Sequence, residues 1–226
     1  GWFGGTVLTT YRSTRPAALP RAAVYLSSDV GPVLGLSSGI IETLRGEGFA
    51  VVAVNSATYF NRERRPEEVV RLVNTAVRQA AALGGTSRVV LIGHSFGADM
   101  LHVALARMPP ADRAKIAAAV LVAPGKTIEF RVSPLEMLGL SGVGQDAMPT
   151  ARAAGFVPIT CIYGQDEAES LCPDLRLAGL QLIALPGGHN LRFDSAALGG
   201  AMRNALTFGP THSSFGVHGE SDQALP

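Results

Sequence analysis

Two short apolar runs, Arg21 to Ser28 (RAAVYLSS) and Phe49 to Val54 (FAVVAV), flank a stretch from Leu36 to Gly46 whose Ile and Leu residues are spaced as in a helix. Strand, helix, strand in this order predicts one βαβ unit. A second helix is predicted from Pro66, with Val69, Val70, Val73, Ala76, Val77, Ala80 and Ala81 along one side. Proline at its start and Glu67 and Glu68 in its first turn suit the unpaired amides there, and Gly84 and Gly85 end it. Arg88 to Ile92 (RVVLI) is the next strand, followed without a linker by a helix with the stripe Met100, Leu101, Ala104, Leu105 and Met108. Pro109 and Pro110 stop that helix.

Ala117 to Ala123, Val157 to Tyr163 and Leu180 to Leu185 are three further strands, and Asp194 is placed to cap a last helix through Leu206. Strands that are continuously apolar, rather than alternating, predict a mostly parallel sheet with helices on both faces. The fold class is therefore α/β, with Thr6 to Thr10 a candidate antiparallel edge strand. The weakly periodic segment 127–156 lies where a small cap or lid would be inserted. Residues 209–226 are polar and aperiodic, which predicts a coil tail after a single domain at 1–208.

Composition narrows the picture. The chain has 226 residues, 47% of them apolar and only 16% charged, with 26 Gly and 14 Pro, as a compact α/β protein with tight turns would have. Nineteen basic and eighteen acidic residues leave a net charge of +1, with no basic field for nucleic acid. The Arg62 to Arg65 run reads as a solvated face, and an anionic membrane surface stays open as a peripheral partner. No segment approaches the roughly 18 apolar residues of a membrane span. The chain starts at Gly1 rather than Met, as it would after removal of a signal peptide.

Chemistry concentrates at Gly93-His94-Ser95-Phe96-Gly97, a G-x-S-x-G sequence between a predicted strand and a predicted helix, the setting of a nucleophile elbow. Ser95 is the candidate nucleophile. A hydroxyl needs a base, and His189, in the loop after the last strand (LPGGHN), is the best placed of five histidines. His94 is expected to point away from the pocket, His102 to lie on the far helical face, and His212 and His218 to lie in the tail. The imidazole needs a carboxylate behind it, which Asp166 supplies just beyond the penultimate strand, with Glu167 as its rival. Phe96 offers one amide for an oxyanion, and Val30, or Asp29 beside it, a second from the turn after an early strand. Asp99, Glu167 and Glu169 are candidates for attracting a cationic substrate, although Asp99 equally suits the start of its helix.

Cys161 and Cys172 stand on either side of the candidate acid loop. Closing that loop would stabilise the fold by about 3 kcal/mol, yet two free buried thiols fit the spacing as well. Two Cys without clustered His give no zinc site, and no Gly-rich loop precedes a Lys, so neither a metal nor a nucleotide cofactor is expected.

The stretches VVAVNSATYFNRERRPEEV, RVVLIGHSFGADMLHVALARMP, ITCIYGQDEAESLCP and LPGGHN, in this order over about Ala22 to Leu206, resemble the family of the bacterial virulence protein VirJ and the C-terminal domain of AcvB. The resemblance implies an α/β-hydrolase fold, a periplasmic location, and catalytic roles for Ser95, Asp166 and His189. It implies a disulfide between Cys161 and Cys172. It also implies an aminoacyl phospholipid substrate, with release of lysine or alanine from aminoacyl-phosphatidylglycerol. Two positions depart from the family pattern. Asp29-Val30-Gly31-Pro32 replaces an Asp-Gly-Gly-Trp turn, and His94 stands where a Tyr is usual. The residues alone support a serine ester hydrolase. The alternatives are a general carboxylesterase or lipase, and a noncatalytic periplasmic adaptor assisting secretion, because a fold does not fix a function.

Overall fold

A computed structural model describes residues 5–132 and 144–207. Seven strands form one sheet: β1 (Leu8–Tyr11), β2 (Ala22–Leu26), β3 (Ala50–Val54), β4 (Val89–His94), β5 (Ile116–Val122), β8 (Ile159–Gly164) and β9 (Gln181–Leu185). Their spatial order is β1-β3-β2-β4-β5-β8-β9. Every pairing is parallel except that of β1 with β3. The edge strand expected at Thr6 to Thr10 is thus present, and is set slightly further along the chain.

The continuous apolar runs follow from covering the sheet twice. In β2, Ala22, Val24 and Leu26 enter one core while Ala23 and Tyr25 enter another. The first core is closed by α3 (Pro66–Gly84), α4 (Phe96–Ala106) and α6 (Met148–Ala153). The second is closed by α1 (Leu36–Gly46) and α7 (Ser195–Thr207), through side chains such as Ile40, Leu44, Leu198 and Met202. Because successive strand residues point to opposite faces, a strand packed on both sides is apolar at nearly every position. Burying one such Leu or Ile contributes about 1.5–3 kcal/mol.

Local signals set the helix ends. Glu68 accepts from the Arg65 backbone N–H at 3.0 Å, and Gly85 ends α3 in the left-handed region at φ 63°. Asp194 accepts from the N–H groups of Ala196 and Ala197 at 3.0 and 2.9 Å, fixing the start of α7. Two single-turn helices, α2 (Ser56–Tyr59) and α5 (Pro110–Arg113), escape a reading by periodicity because they are too short to show one. The apolar stripe of α4 also understates its burial: this helix lies between the sheet, α3 and α6, and even His102 is fully enclosed.

In the segment where a cap was expected, β6 (Thr127–Ile128) pairs antiparallel with β7 (Gln145–Asp146), and Ala147, Ala151 and Ala154 enter the first core. Residues 133–143, in the middle of that segment, and the tail at 209–226 lie outside the described residues. Among the described residues no helix is long and apolar enough to cross a membrane.

Candidate active site

From β2 the chain crosses to β3 on one side, then returns to β4 on the other. The loops leaving the carboxyl ends of β2 and β4 therefore diverge, and a crevice opens between them, as at the switch point of an open parallel sheet. A cleft of about 650 Å³ occupies this place, bordered by Asp29 and Val30 after β2, Ser95 and Phe96 after β4, and His189 after β9.

The glycines explain the turn at Ser95. A Cβ at Gly93 would stand 2.5 Å from the Gly97 carbonyl oxygen and 2.6 Å from the Ala98 Cα, and one at Gly97 would collide with the Leu26 and Ser27 carbonyls. Only glycine lets α4 begin this close to β2 and β4. Ser95 takes φ 53°, ψ −123°, a conformation that costs a non-glycine residue about 1–3 kcal/mol. It is held there by its N–H to the Val122 carbonyl at 2.8 Å and by its own carbonyl, which accepts from Ala98 at 2.7 Å. The side chain is thereby turned out of the sheet into the cleft. As the first residue of α4, Phe96 has an N–H with no acceptor in its own helix, next to the Ser95 hydroxyl.

Ser95 Oγ lies 2.7 Å from His189 Nε2, and His189 Nδ1 lies 2.5 Å from Glu167 Oε1. The carboxylate behind the ring is thus Glu167 and not the expected Asp166. The Glu167 N–H closes a tight turn onto the Gly164 carbonyl, and the Asp166 N–H donates to the Gly187 carbonyl at 3.0 Å. Asp166 ties the two loops together through its backbone while its side chain faces solvent; the next residue turns inward, and the Glu167 side chain is only 8% exposed. Gly164 makes the approach possible, since a Cβ there would strike the carbonyls of Gly187 and Gly188.

The His189 pKa is raised above the ordinary histidine value, chiefly by the hydrogen bond to Glu167, against partial desolvation, with the charges of Glu167 and Asp29 adding to the rise. His94 behaves oppositely. It borders the cleft instead of pointing away from it, is buried, and burial pushes its pKa down to about 4. His102 is buried between α4 and α6, with Nδ1 2.9 Å from Thr150 Oγ1 and its pKa pushed down to about 3 by burial. Its ring is neutral at pH 7, so the 3.9 Å approach of Nε2 to Asp99 Oδ1 is no ion pair.

For His94 and His102 the folded pKa lies below the unfolded value, so the unfolded chain takes up protons first as the pH falls. Their contribution to stability is complete above about pH 6.5 and is lost progressively toward pH 4 for His94 and pH 3 for His102. A falling melting temperature between pH 7 and pH 4.5, flattened in a His102→Asn variant, is the expected result.

Of the residues expected to attract a cation, Asp99 borders the cleft and accepts from the Gly125 N–H at 2.9 Å. Glu167 is used behind the imidazole, and Glu169 is exposed outside the lining. Sequence reading missed Glu129, Leu34 and Phe193, which also border the cleft. Glu129 reaches it only because the β6–β7 pairing brings its loop there, and no local pattern signals that. No Lys or Arg is among the described residues lining the cleft.

Cys161 of β8 and Cys172 form a disulfide that closes the loop carrying Glu167. Both residues are fully buried. Replacing the pair by alanine is expected to lower unfolding stability by about 3 kcal/mol, read as a lower urea midpoint under oxidising conditions.

A family model described as bacterial virulence protein (VirJ) matches residues 21–208. The chain belongs to the VirJ family. Its members are periplasmic virulence factors, and a buried disulfide suits that oxidising compartment. No curated protein matches the sequence of this VirJ-family chain. Among solved structures it is similar to Est1E from Butyrivibrio proteoclasticus, at 13% identity over 88% of this chain and 94% of that one, with a TM-score of 0.60. It is also similar to the Pyrococcus furiosus esterase Pf2001, at 13% identity over 85% and 82% and a TM-score of 0.62. The thioesterase domain from the curacin biosynthetic pathway is a third, at 15% identity over 87% and 94% and a TM-score of 0.59. These likenesses establish that the VirJ-family chain has the α/β-hydrolase fold.

Proposed function

We propose that this VirJ-family protein is a serine-dependent carboxylic ester hydrolase. The observation that carries the reading is the line from Ser95 Oγ to His189 Nε2 and from His189 Nδ1 to Glu167, at 2.7 and 2.5 Å. His189 takes the hydroxyl proton as Ser95 attacks the ester carbonyl, and the backbone N–H of Phe96, with that of Val30 or Asp29, receives the oxyanion. The imidazolium then protonates the leaving alcohol. Water, deprotonated by the same ring, cleaves the acyl-enzyme and restores Ser95. Glu167 accepts the Nδ1 proton, fixes the tautomer, and supports the charge on the ring. The test is a fluorophosphonate probe together with short p-nitrophenyl esters. One equivalent of label on Ser95 and turnover of the esters are expected; no label and no turnover would favour a noncatalytic adaptor.

A narrower reading, an aminoacyl ester such as aminoacyl-phosphatidylglycerol, is favoured by the carboxylates of Asp29, Asp99 and Glu129 around a cleft whose described lining has no Lys or Arg. An ammonium group next to the scissile carbonyl would be drawn to them. Under this reading kcat/KM for a lysyl or alanyl ester exceeds that for the matching uncharged ester, and Glu129→Gln lowers the ratio about 5–10-fold, a loss of order 1 kcal/mol. Equal ratios for both proteins would leave only the general esterase.

A further inference from the structure

The reactive cleft lies beyond the carboxyl ends of the strands. At their other end a second cavity, of about 480 Å³, opens beside the first residues of β2, β4, β5, β8 and β9. Its volume falls within the range of about 300–1,000 Å³ in which small molecules are bound. The hollow originates in the sequence of β5. Val120 and Val122 fill the second core, whereas Ala118, two residues earlier on the same face, belongs to neither core and presents only a methyl group to the cavity. Phe49, Val90, Ile159, Leu180 and Leu206 complete an apolar wall around it.

The polar side chains of the lining add a second observation, because those with capacity left over are donors. Arg21 and Arg88 both border the cavity, and no Asp or Glu does so among the described residues. Arg21 stacks on the Phe49 ring at 4.3 Å and donates to the Glu47 carbonyl at 3.0 Å, while Arg88 donates to the Ile116 carbonyl at 3.3 Å. A guanidinium so engaged keeps further N–H donors. Neither arginine has an ion-pair partner among the described residues; the Glu47 carboxylate is 4.0 Å from Arg15 instead. On β8 and β9, the buried Thr160 donates to Gln181 Oε1 at 3.0 Å, which leaves the Gln181 amide with its N–H groups to offer.

We infer that this cavity is a second binding site, for a small amphipathic carboxylate. The apolar body of the ligand lies over Ala118 against Ile159, Leu180 and Leu206, and its carboxylate accepts from Arg21, Arg88 and the Gln181 amide. Two cations without a carboxylate, set beside an apolar wall, complement one anionic head on one apolar body. A neutral ligand would leave the guanidinium donors unmatched, and a polyanion would gain nothing from the wall. The site is separate from the Ser95 cleft, and its binding does not rest on the hydrolase reading.

Titration of Ser95→Ala protein, followed by backbone amide NMR shifts, tests the site with octanoate, 4-phenylbutyrate and octanamide. Saturable shifts at Ala117, Ala118 and Thr160 are expected for a carboxylate, with a Kd below about 1 mM. Tighter binding of octanoate identifies an acyl carboxylate as the preferred ligand, and tighter binding of 4-phenylbutyrate an aryl one. Octanamide should bind at least about fivefold more weakly. Arg21→Gln and Arg88→Gln should each weaken the carboxylates about threefold, in keeping with their partial exposure, and leave octanamide unchanged. Ala118→Leu, which fills the hollow, should weaken octanoate at least about tenfold. Introduced with Ser95 intact, it should leave turnover of a p-nitrophenyl ester within about twofold of the parent.

No saturable shifts with either carboxylate, or octanamide bound as tightly as octanoate, would overturn the proposal. So would shifts confined to Ser95, Phe96 and His189, which would place the ligand in the reactive cleft. A concentration-dependent dimer weakened by Ala118→Leu, without carboxylate binding, would reassign the cavity to a second copy of the chain. Nuclear Overhauser contacts between Ala118 and residues 209–226 would reassign it to the chain's own tail. Carboxylate binding in a protein that cleaves no ester would leave this site standing and remove the hydrolase reading; ester cleavage without carboxylate binding would do the reverse.

Discussion

Ser95→Ala is expected to reduce ester hydrolysis by at least about 10³-fold while the protein remains folded. The loss should fall on kcat, because the hydroxyl forms and breaks the covalent bond and contributes little to holding the ester in the cleft. Alanine fits the space and removes only the atom that His189 contacts, so melting temperature serves as the control. Hydrolysis within tenfold of the parent, with Ser95 absent, would exclude this residue as nucleophile and leave the Ser95–His189 contact without a catalytic role.

The second expectation separates two neighbouring acids. Glu167→Gln should lower kcat by about 10²–10⁴-fold, the range expected when the carboxylate behind a catalytic imidazole becomes an amide and the tautomer is no longer fixed. Asp166→Asn, altering an exposed side chain whose backbone supplies the loop contact, should change kcat by less than about threefold. The pH profile gives a second readout. Glu167 is the largest cause of the raised His189 pKa, and the base works only when neutral, so activity in the parent rises with pH through a midpoint above the ordinary histidine value. Removing the Glu167 charge should move that midpoint down. An equal loss in both variants, or an unmoved acidic limb in Glu167→Gln, would remove Glu167 from the role proposed for it.

The fold was largely legible because its signals are local and redundant. Continuous apolar runs require two covered faces, Pro66 and Gly85 bracket α3, and Asp194 caps α7 at the expected position. That Ser95 and His189 meet was legible for a similar reason: one lies in a turn that only glycines permit, and the other follows the last strand. The choice between Asp166 and Glu167 was not legible, because it depends on which of two adjacent residues a tight turn points inward. That is decided by hydrogen bonds to Gly164 and Gly187, the latter from a separate loop. His94 was misplaced for want of the same information, and Glu129 reaches the cleft through a pairing of four residues too short to leave a pattern.

Gly93, Gly97 and Gly164 divide the site into two regimes of mutability. At these three positions main chain meets main chain, so a single added methyl would displace Ser95 or the loop that carries Glu167 instead of being absorbed by a neighbouring side chain. The walls of the cleft are otherwise built: Asp29, Leu34 and Glu129 hang from loops, where side chains can be exchanged without moving the peptide planes beneath. Drift or directed evolution can therefore retune what the cleft accepts while the Ser95–His189–Glu167 contacts stay fixed.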